Sequence, residues 1–356
     1  MLHTQLTNGV VVFTIQNRTT CPELVDYLES FLTPYFWETE GLHPHFTLIF
    51  NDYTKLPFDW LNHPAEEVVI RKSTANSFNL SGRFFLLDDK TRVIIDEETK
   101  TAYHINEETN TIVFYGSKES VIHLIEFVRY TSLLVEEIEG TMVLHASATV
   151  HSESTYLVLG NKGAGKTSTL LNLIFQHGQK YFSGDKILVS KSTEGIIIRG
   201  WPDYPHVGIG TLKNFPNLVK NLRLPLEWAD GTPKPDSHKE LIEPRLFRAA
   251  LPSTVEPSVK KVATLIFPQV SVDETTVSVV DNNERMETLL ENIEYPHQFL
   301  TVQWHNLFGK VRRTAPTDYT KLLEHLLSTE WFKVTGKSGI PVELLNALSR
   351  NMVSNS

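Results

Sequence analysis

The chain has a single cysteine, Cys21, so no internal disulfide can staple it. It also lacks any run of about eighteen apolar residues free of charge, the length a membrane-spanning helix needs. The opening residues Met1-Leu2-His3-Thr4-Gln5 do not have the basic-then-apolar layout of a signal peptide, and a cytoplasmic location is expected. Basic charge is scarce as well. Lysine and arginine number 33 against 42 acidic residues, for a net charge of −9. No Lys/Arg run exceeds a short pair, so a nucleic-acid backbone is not an expected partner, nor is a membrane.

What is present suffices for two domains with cores of their own: 356 residues, 41% of them hydrophobic. The first unit, 1–140, reads as α+β. Gly9 to Ile15 has the apolar, β-branched content of a strand, and Cys21 to Leu32 places Leu24, Leu28 and Leu32 at helical spacing. Strands are expected at Phe46 to Phe50 and Glu67 to Lys72, with a loop between them carrying Pro57 and Pro64. Short strands at Arg83–Leu87, Thr91–Ile95, Ala102–Ile105 and Thr111–Tyr115, separated by turn-forming residues, predict an antiparallel meander. Asp52 and Asp96 each close such a strand and read as hairpin ends, and His43 and His45 as surface or satisfied core residues. Ser117 to Gly140 is the longest helical pattern and reads as the hinge to the second unit.

The second unit, 141–356, is organised around Gly160-Asn161-Lys162-Gly163-Ala164-Gly165-Lys166-Thr167, which fits G-x-x-x-x-G-K-[ST] without mismatch. Its glycines let the backbone curl so that successive N–H groups face an anion, at the positive end of a following helix. The context agrees. Thr155 to Leu159 reads as a buried strand before it, and Lys166 to His177, through Ser168, Leu170, Leu173 and Ile174, as a helix stopped by Gly178. A nucleoside triphosphate is the expected ligand, with Lys166 on the outer phosphates and the Thr167 hydroxyl on a bridging Mg2+. Thr141 to Val150 reads as the strand that opens this unit, joined to the loop strand through a hairpin at 151–154.

The order Leu144-His145-Ala146-Ser147-Ala148, hairpin, Gly160 to Thr167, helix, then Tyr181-Phe182-Ser183-Gly184-Asp185-Lys186 resembles the HPr kinase/phosphorylase-like family over roughly residues 120–270. The resemblance implies a P-loop kinase domain related in fold to phosphoenolpyruvate carboxykinases, here preceded by an α+β N-terminal domain. It places His145 near the transferred phosphate. The family's founding members carry an Asp-Asp pair after the loop helix, whereas here Gly184 replaces one and Asp185 remains. Relatives with a single aspartate followed by a basic residue match Asp185-Lys186, which leaves Asp185 as base, metal ligand or both. Val207-Gly208-Ile209-Gly210-Thr211-Leu212 looks like a trace of the family's glycine signature, with Asp203 near by and no acidic residue directly before it.

On this reading the cofactors are ATP and Mg2+, held by Gly160 to Ser168, with Thr167 and Asp185 toward the metal. Asp185, Lys166, His145 and Lys186 serve transfer to a hydroxyl of a small molecule, peptide or protein. The alternative is a nucleotide-binding regulatory or scaffold protein without phosphoryl transfer, motivated by the missing second aspartate. Residues 217–244, with Pro225, Pro233 and Pro235, read as a mobile loop ending near Lys239, and residues 1–140 as an acceptor-recognition or dimerisation domain. Further strands are expected at Val262–Pro268 and Val277–Val280, helices at Met286–Ile293, Asp318–Leu327 and Val342–Leu348, and a frayed end at Arg350–Ser356.

Overall fold

A computed structural model describes residues 3–71, 80–151, 154–193, 195–259, 261–271, 274–299 and 318–336. The expected helix at 342–348 and the chain end at 350–356 lie outside the described residues. The architecture is mixed α/β and divides into two compact units. One comprises 1–140 with 295–317, the other 141–294 with 318–356. Among the described residues no helix is long and apolar enough to cross a membrane.

In the first unit β1 (His3–Thr7), β2 (Val12–Asn17), α1 (Pro22–Leu32), β3 (Trp37–Thr39) and β4 (Phe46–Asp52) lead to β5 (Ala65–Arg71), β6 (Leu80–Leu86), β7 (Thr91–Asp96), β8 (Thr101–Asn106), β9 (Thr111–Gly116) and α2 (Val121–Ile138). The strands form one sheet in the order β3-β1-β2-β4-β9-β8-β7-β6-β5. The meander β6 to β9 is antiparallel, while β2, β4 and β9 run parallel to one another. Alternation divides the faces. Phe114 and Tyr103 face α2, where the Tyr103 ring stacks on Phe127 at 4.7 Å. Ala102 and Tyr115 point the other way and pack with Leu56, Trp60, Phe85 and Val93. Residues 53–62, read as loop from Pro57 and Pro64, carry two short 3-10 turns that seat Leu56 and Trp60 in that cluster.

α2 is a core helix of the first unit, whose leading segment ends at Gly140 directly after it. It is buried along most of its length, including Glu126, Glu136 and Glu137. Asn8 donates to Glu136 at 2.6 Å, and Arg129 pairs with Glu126 at 2.7 Å. His297, on a short later helix, lies 2.5 Å from Glu137 through its ring. That contact explains why Tyr295 and the helix after it belong to the first unit and interrupt the expected span 141–356.

The second unit runs through β10 (Met142–His151), β11 (Ser154–Leu159), α3 (Lys166–His177), β12 (Lys180–Ser183), β13 (Lys186–Ser192), β14 (Gly195–Gly200), β15 (His206–Gly208), α4 (Ile209–Leu212), α5 (Pro216–Leu222), β16 (Lys239–Leu241) and α6 (Pro244–Ala249). It continues with β17 (Ser258–Val259), β18 (Lys261–Val270), β19 (Thr276–Val279), α7 (Asn282–Asn292), β20 (Ile293–Glu294), then α8 (Pro296–Phe299) of the first unit, α9 (Thr320–Leu327) and β21 (Glu330–Gly336). The sheet order is β17-β14-β13-β10-β11-β18-β21-β19, with β12 and β20 also pairing β10. Its centre, β11, β18 and β21, is parallel, which is why consecutive residues such as Leu157, Val158 and Leu159, and Leu265 and Ile266, are buried on both faces.

α3 is covered on two sides. Leu173 packs with Tyr156, Val158 and Ile266, whereas Leu170, Leu171 and Ile174 join Val207, Ile209, Leu212, Leu218 and Phe247. That second cluster corrects the reading of 217–244 as a mobile loop. Leu218 is buried, Leu222, Leu224 and Leu226 pack against it, and β16 pairs with β15 in register Gly208↔Lys239. Pro216 and Pro244 open the helices at either end of this stretch.

Asp96 ends β7, as its turn-flanked position implies, and also anchors a buried network. Its Oδ2 accepts from Thr99 Oγ1 at 2.7 Å and lies 2.8 Å from His123 Nε2, while His123 Nδ1 lies 3.0 Å from the Tyr103 hydroxyl. Burial pushes the Asp96 carboxyl up, but the bonds from His123 and Thr99 outweigh it and hold the group below its ordinary value. A carboxyl depressed in the folded state adds stability above its unfolded pKa of about 4 and loses it as pH falls through the folded value. Asp96→Asn is expected to lower local stability at pH 7 by about 1–3 kcal/mol and to flatten the acid-side loss. Hydrogen exchange of the β7 and β8 amides at pH 7 and pH 4 measures both, and an acid limb as steep as that of the wild type would reject the assignment.

Candidate functional site

The site is assembled where β10 changes partners. Its first half pairs with β13 and β20, and its second half with β11 and β12. Between β11 and α3 the loop Gly160 to Gly165 turns with positive φ at Gly160 (141°), Gly163 (88°) and Gly165 (104°), a region in which a Cβ is strained. The turn is held by Ala164 N donating to Asn161 O at 3.1 Å and Val270 N donating to Ala164 O at 3.2 Å. Gly165 caps α3 without a side-chain hydrogen bond, so the first helical N–H groups have no side-chain acceptor there. Asn161, Lys162 and Gly163 are exposed, and Ala164, Lys166, Thr167 and Ser168 half-buried.

Lys166 curls back over the loop, its Nζ 2.5 Å from Gly160 O and 3.5 Å from Asn161 O. Burial lowers its pKa below the usual lysine value. Lys239 and Lys186 add to the lowering, against the pull of Asp185 and Glu294. Lys239, at the end of the segment expected to be a loop, is thus within electrostatic reach of Lys166, carried there by the β15–β16 pair. The glycine stretch 207–212 is brought to the same place, because Ser168 Oγ lies 2.8 Å from Thr211 Oγ1.

His145 and Lys186 are cross-strand partners in β10 and β13. His145 Nε2 lies 3.5 Å from Asp185 Oδ1, and Lys186 Nζ lies 3.2 Å from Asp185 Oδ2. Burial, together with the Lys166 and Lys186 ammonium groups, lowers the His145 pKa despite the nearby carboxylates of Asp185 and Glu294. The neutral form of the ring is thereby favoured, which donates at one nitrogen and accepts at the other.

The turn bearing Asp185 is fixed by serines. Ser147 Oγ donates to Gly184 O at 2.6 Å, and Ser183 Oγ donates to Lys186 O at 2.7 Å. The absence of a side chain at Gly184 has a steric cause. A Cβ there would meet Asp203 Oδ2 at 2.6 Å and the Tyr181 hydroxyl at 2.9 Å. The buried Asp203 carboxylate, which also accepts from Tyr181 OH at 3.2 Å, fills that space.

Three residues of the site carry no local signal in the sequence. Asn161 Nδ2 reaches Glu291 Oε2 at 3.5 Å, Gly160 N donates to Asn292 Oδ1 at 3.4 Å, and Lys186 Nζ lies 2.5 Å from Glu294 Oε2. Their participation depends on α7 and β20 returning beside β10. Lys166, Lys186 and Lys239 form a field of cations around the loop, with the half-exposed Asp185 carboxylate beside Lys186. Among the described residues no group of three or more His, Cys, Asp or Glu side chains forms a metal site. Compared with protein-family models and with curated proteins, the chain matches none.

The loop glycines should differ in how strictly they are required. Gly163→Ala meets no atom within 4 Å and carries only the cost of φ, about 1–2 kcal/mol. Gly165→Ala carries a similar cost and also places a Cβ 2.3 Å from Val270 Cγ2, so a further loss on the order of 1 kcal/mol is expected. Denaturant unfolding of the two variants measures the difference, and equal losses would mean that Val270 does not confine the loop.

Proposed function

We propose that the chain is a P-loop kinase of the kind seen in the HPr kinase/phosphorylase-like family, with that family's phosphoenolpyruvate carboxykinase-like domain. It would transfer the γ-phosphate of ATP to a hydroxyl of a metabolite, peptide or protein. The observation that carries this reading is the gathering of His145, Asp185 and Lys186 beside Lys166. These groups come from separate strands and a loop, and Lys166 itself tops a glycine turn with uncapped helical N–H groups. Phosphoryl transfer demands mainly positioning and charge neutralisation. Like charges crowded around Lys166 repel one another, and a polyphosphate relieves that repulsion.

In the proposed reaction the acceptor oxygen attacks the γ-phosphorus and its proton passes to the Asp185 carboxylate. The bond from that phosphorus to the bridging oxygen breaks, its electron pair leaving on ADP. Lys166 neutralises charge on the outer phosphates, and the neutral His145 orients an oxygen by hydrogen bonding. Magnesium, bound with the nucleotide, would supply further charge neutralisation. The Thr167 hydroxyl and Asp185 are oxygen donors that fit it, with the rest of its coordination from phosphate and water, as is usual for this ion.

A second reading, a nucleotide-binding regulator without transfer, draws on the filled space at Gly184, which leaves no room for a second carboxylate at that position. Calorimetry and a labelled-phosphate assay separate the two. Lys166→Ala is expected to weaken Mg-ATP binding by about 10- to 100-fold. Asp185→Asn should cut transfer by about 10²- to 10⁴-fold while nucleotide affinity stays within a few-fold. Binding with no transfer to any acceptor in a host extract would favour the regulator, and absence of ATP and GTP binding would remove both readings.

A further inference from the structure

Glu294 stands outside every motif in the sequence, yet it makes the shortest charged contact at the site. β20 is only two residues long and pairs with β10 as Leu144↔Ile293 and Val143↔Glu294. On the opposite edge β10 pairs His145↔Lys186. Cross-strand partners share a face, and so do residues two apart on one strand. Glu294, Val143, His145 and Lys186 therefore lie on the same face of the sheet, and the Lys186 side chain crosses over β10 to reach the carboxylate.

The ammonium of Lys186 ends between two carboxylates, 2.5 Å from Glu294 Oε2 and 3.2 Å from Asp185 Oδ2. The Glu294 and Lys186 side chains are 18% and 16% exposed, whereas Asp185 is 43% exposed. The shorter and drier contact is the stronger one. Without Glu294 the lysine would lose its closer carboxylate and be drawn further toward Asp185, already 3.2 Å away. Asp185 would then have a private counter-ion and be a poorer acceptor of a proton. The segment holding Glu294 also grips the loop, through Glu291 to Asn161 and Asn292 to Gly160, so its placement is tied to that of the glycine turn.

We propose that Glu294 is a positioning residue for the transfer step: it anchors Lys186 at a fixed point on the β10 face and thereby keeps the Asp185 carboxylate available to the acceptor. This rests on the kinase reading, so the experiment has one arm that needs no activity. In that arm Lys186 is labelled by reductive methylation and followed by mass spectrometry in the wild type, Glu294→Gln and Glu294→Asp. Loss of the anchor should raise the Lys186 labelling rate several-fold in Glu294→Gln, with partial return of protection in Glu294→Asp.

In the second arm Glu294→Gln should lower kcat by about tenfold or more while the KM for ATP changes less than threefold. Adding Lys186→Met should cost little more, because the two side chains act as one unit. An unchanged labelling rate, an unchanged kcat, or losses that multiply in the double variant would each overturn the proposal. Should Lys166→Ala leave nucleotide binding intact, the kinase reading falls and the role of Glu294 in transfer with it. The labelling arm would then still decide whether Glu294 anchors Lys186.

Discussion

The backbone ladder of β10 is the interaction on which the rest of the second unit depends. One ten-residue strand hydrogen-bonds to β13 and β20 with its first half and to β11 and β12 with its second. Because it changes partners midway, it brings the strand feeding the glycine loop and the strand bearing Lys186 to opposite halves of the same element. His145 sits at that changeover. Slipping the register of β10 by one residue would turn His145 to the other face and part it from Lys186 and Asp185. Buried neighbours on both sides, Leu144 and Ala146 at 0% exposure, hold the register.

Around this frame Lys186, His145 and Lys166 each have a partner. Lys186 is shared by Asp185 and Glu294, His145 faces Asp185, and Lys166 rests on carbonyl oxygens of its own loop. In a partly dry setting each contact counts for more than it would in water, and each missing partner costs more. Lysine 166 illustrates the balance. Burial and neighbouring cations make its charge less comfortable, and a bound anion would restore it. Rigid backbone supports the arrangement: Ser147 and Ser183 pin the Asp185 turn, and Asp203 fills the space over Gly184.

The first unit solves a different problem. Its sheet buries a helix, α2, that carries acidic side chains into the core: Glu126 meets Arg129 on the same helix, and Glu136 and Glu137 meet Asn8 and His297, drawn from far along the chain. Buried polar groups without partners are costly, so these pairings specify one packing. They also explain why a segment beginning at Tyr295 belongs to the first unit, before Asp318 onward rejoins the second.

Much of this was legible in the residues themselves. The glycine loop, the helix Lys166 to His177 with its Gly178 stop, the meander from β6 to β9 and the long helix α2 follow from local steric rules and from periods of 3.6 and 2. Polar strands left no such trace: β1, whose residues are His3-Thr4-Gln5-Leu6-Thr7, forms because β2 and β3 flank it. Residues 217–244 looked like loop because proline marks breaks more clearly than a dispersed set of leucines marks a shared core. Within the site, Lys166, Thr167 and Asp185 belong to short contiguous patterns and could be named from sequence. Glu291, Asn292 and Glu294 could not, because a side chain's partner is set by which strand returns beside which. That choice is made by burial of the whole sheet and not by any run of neighbouring residues.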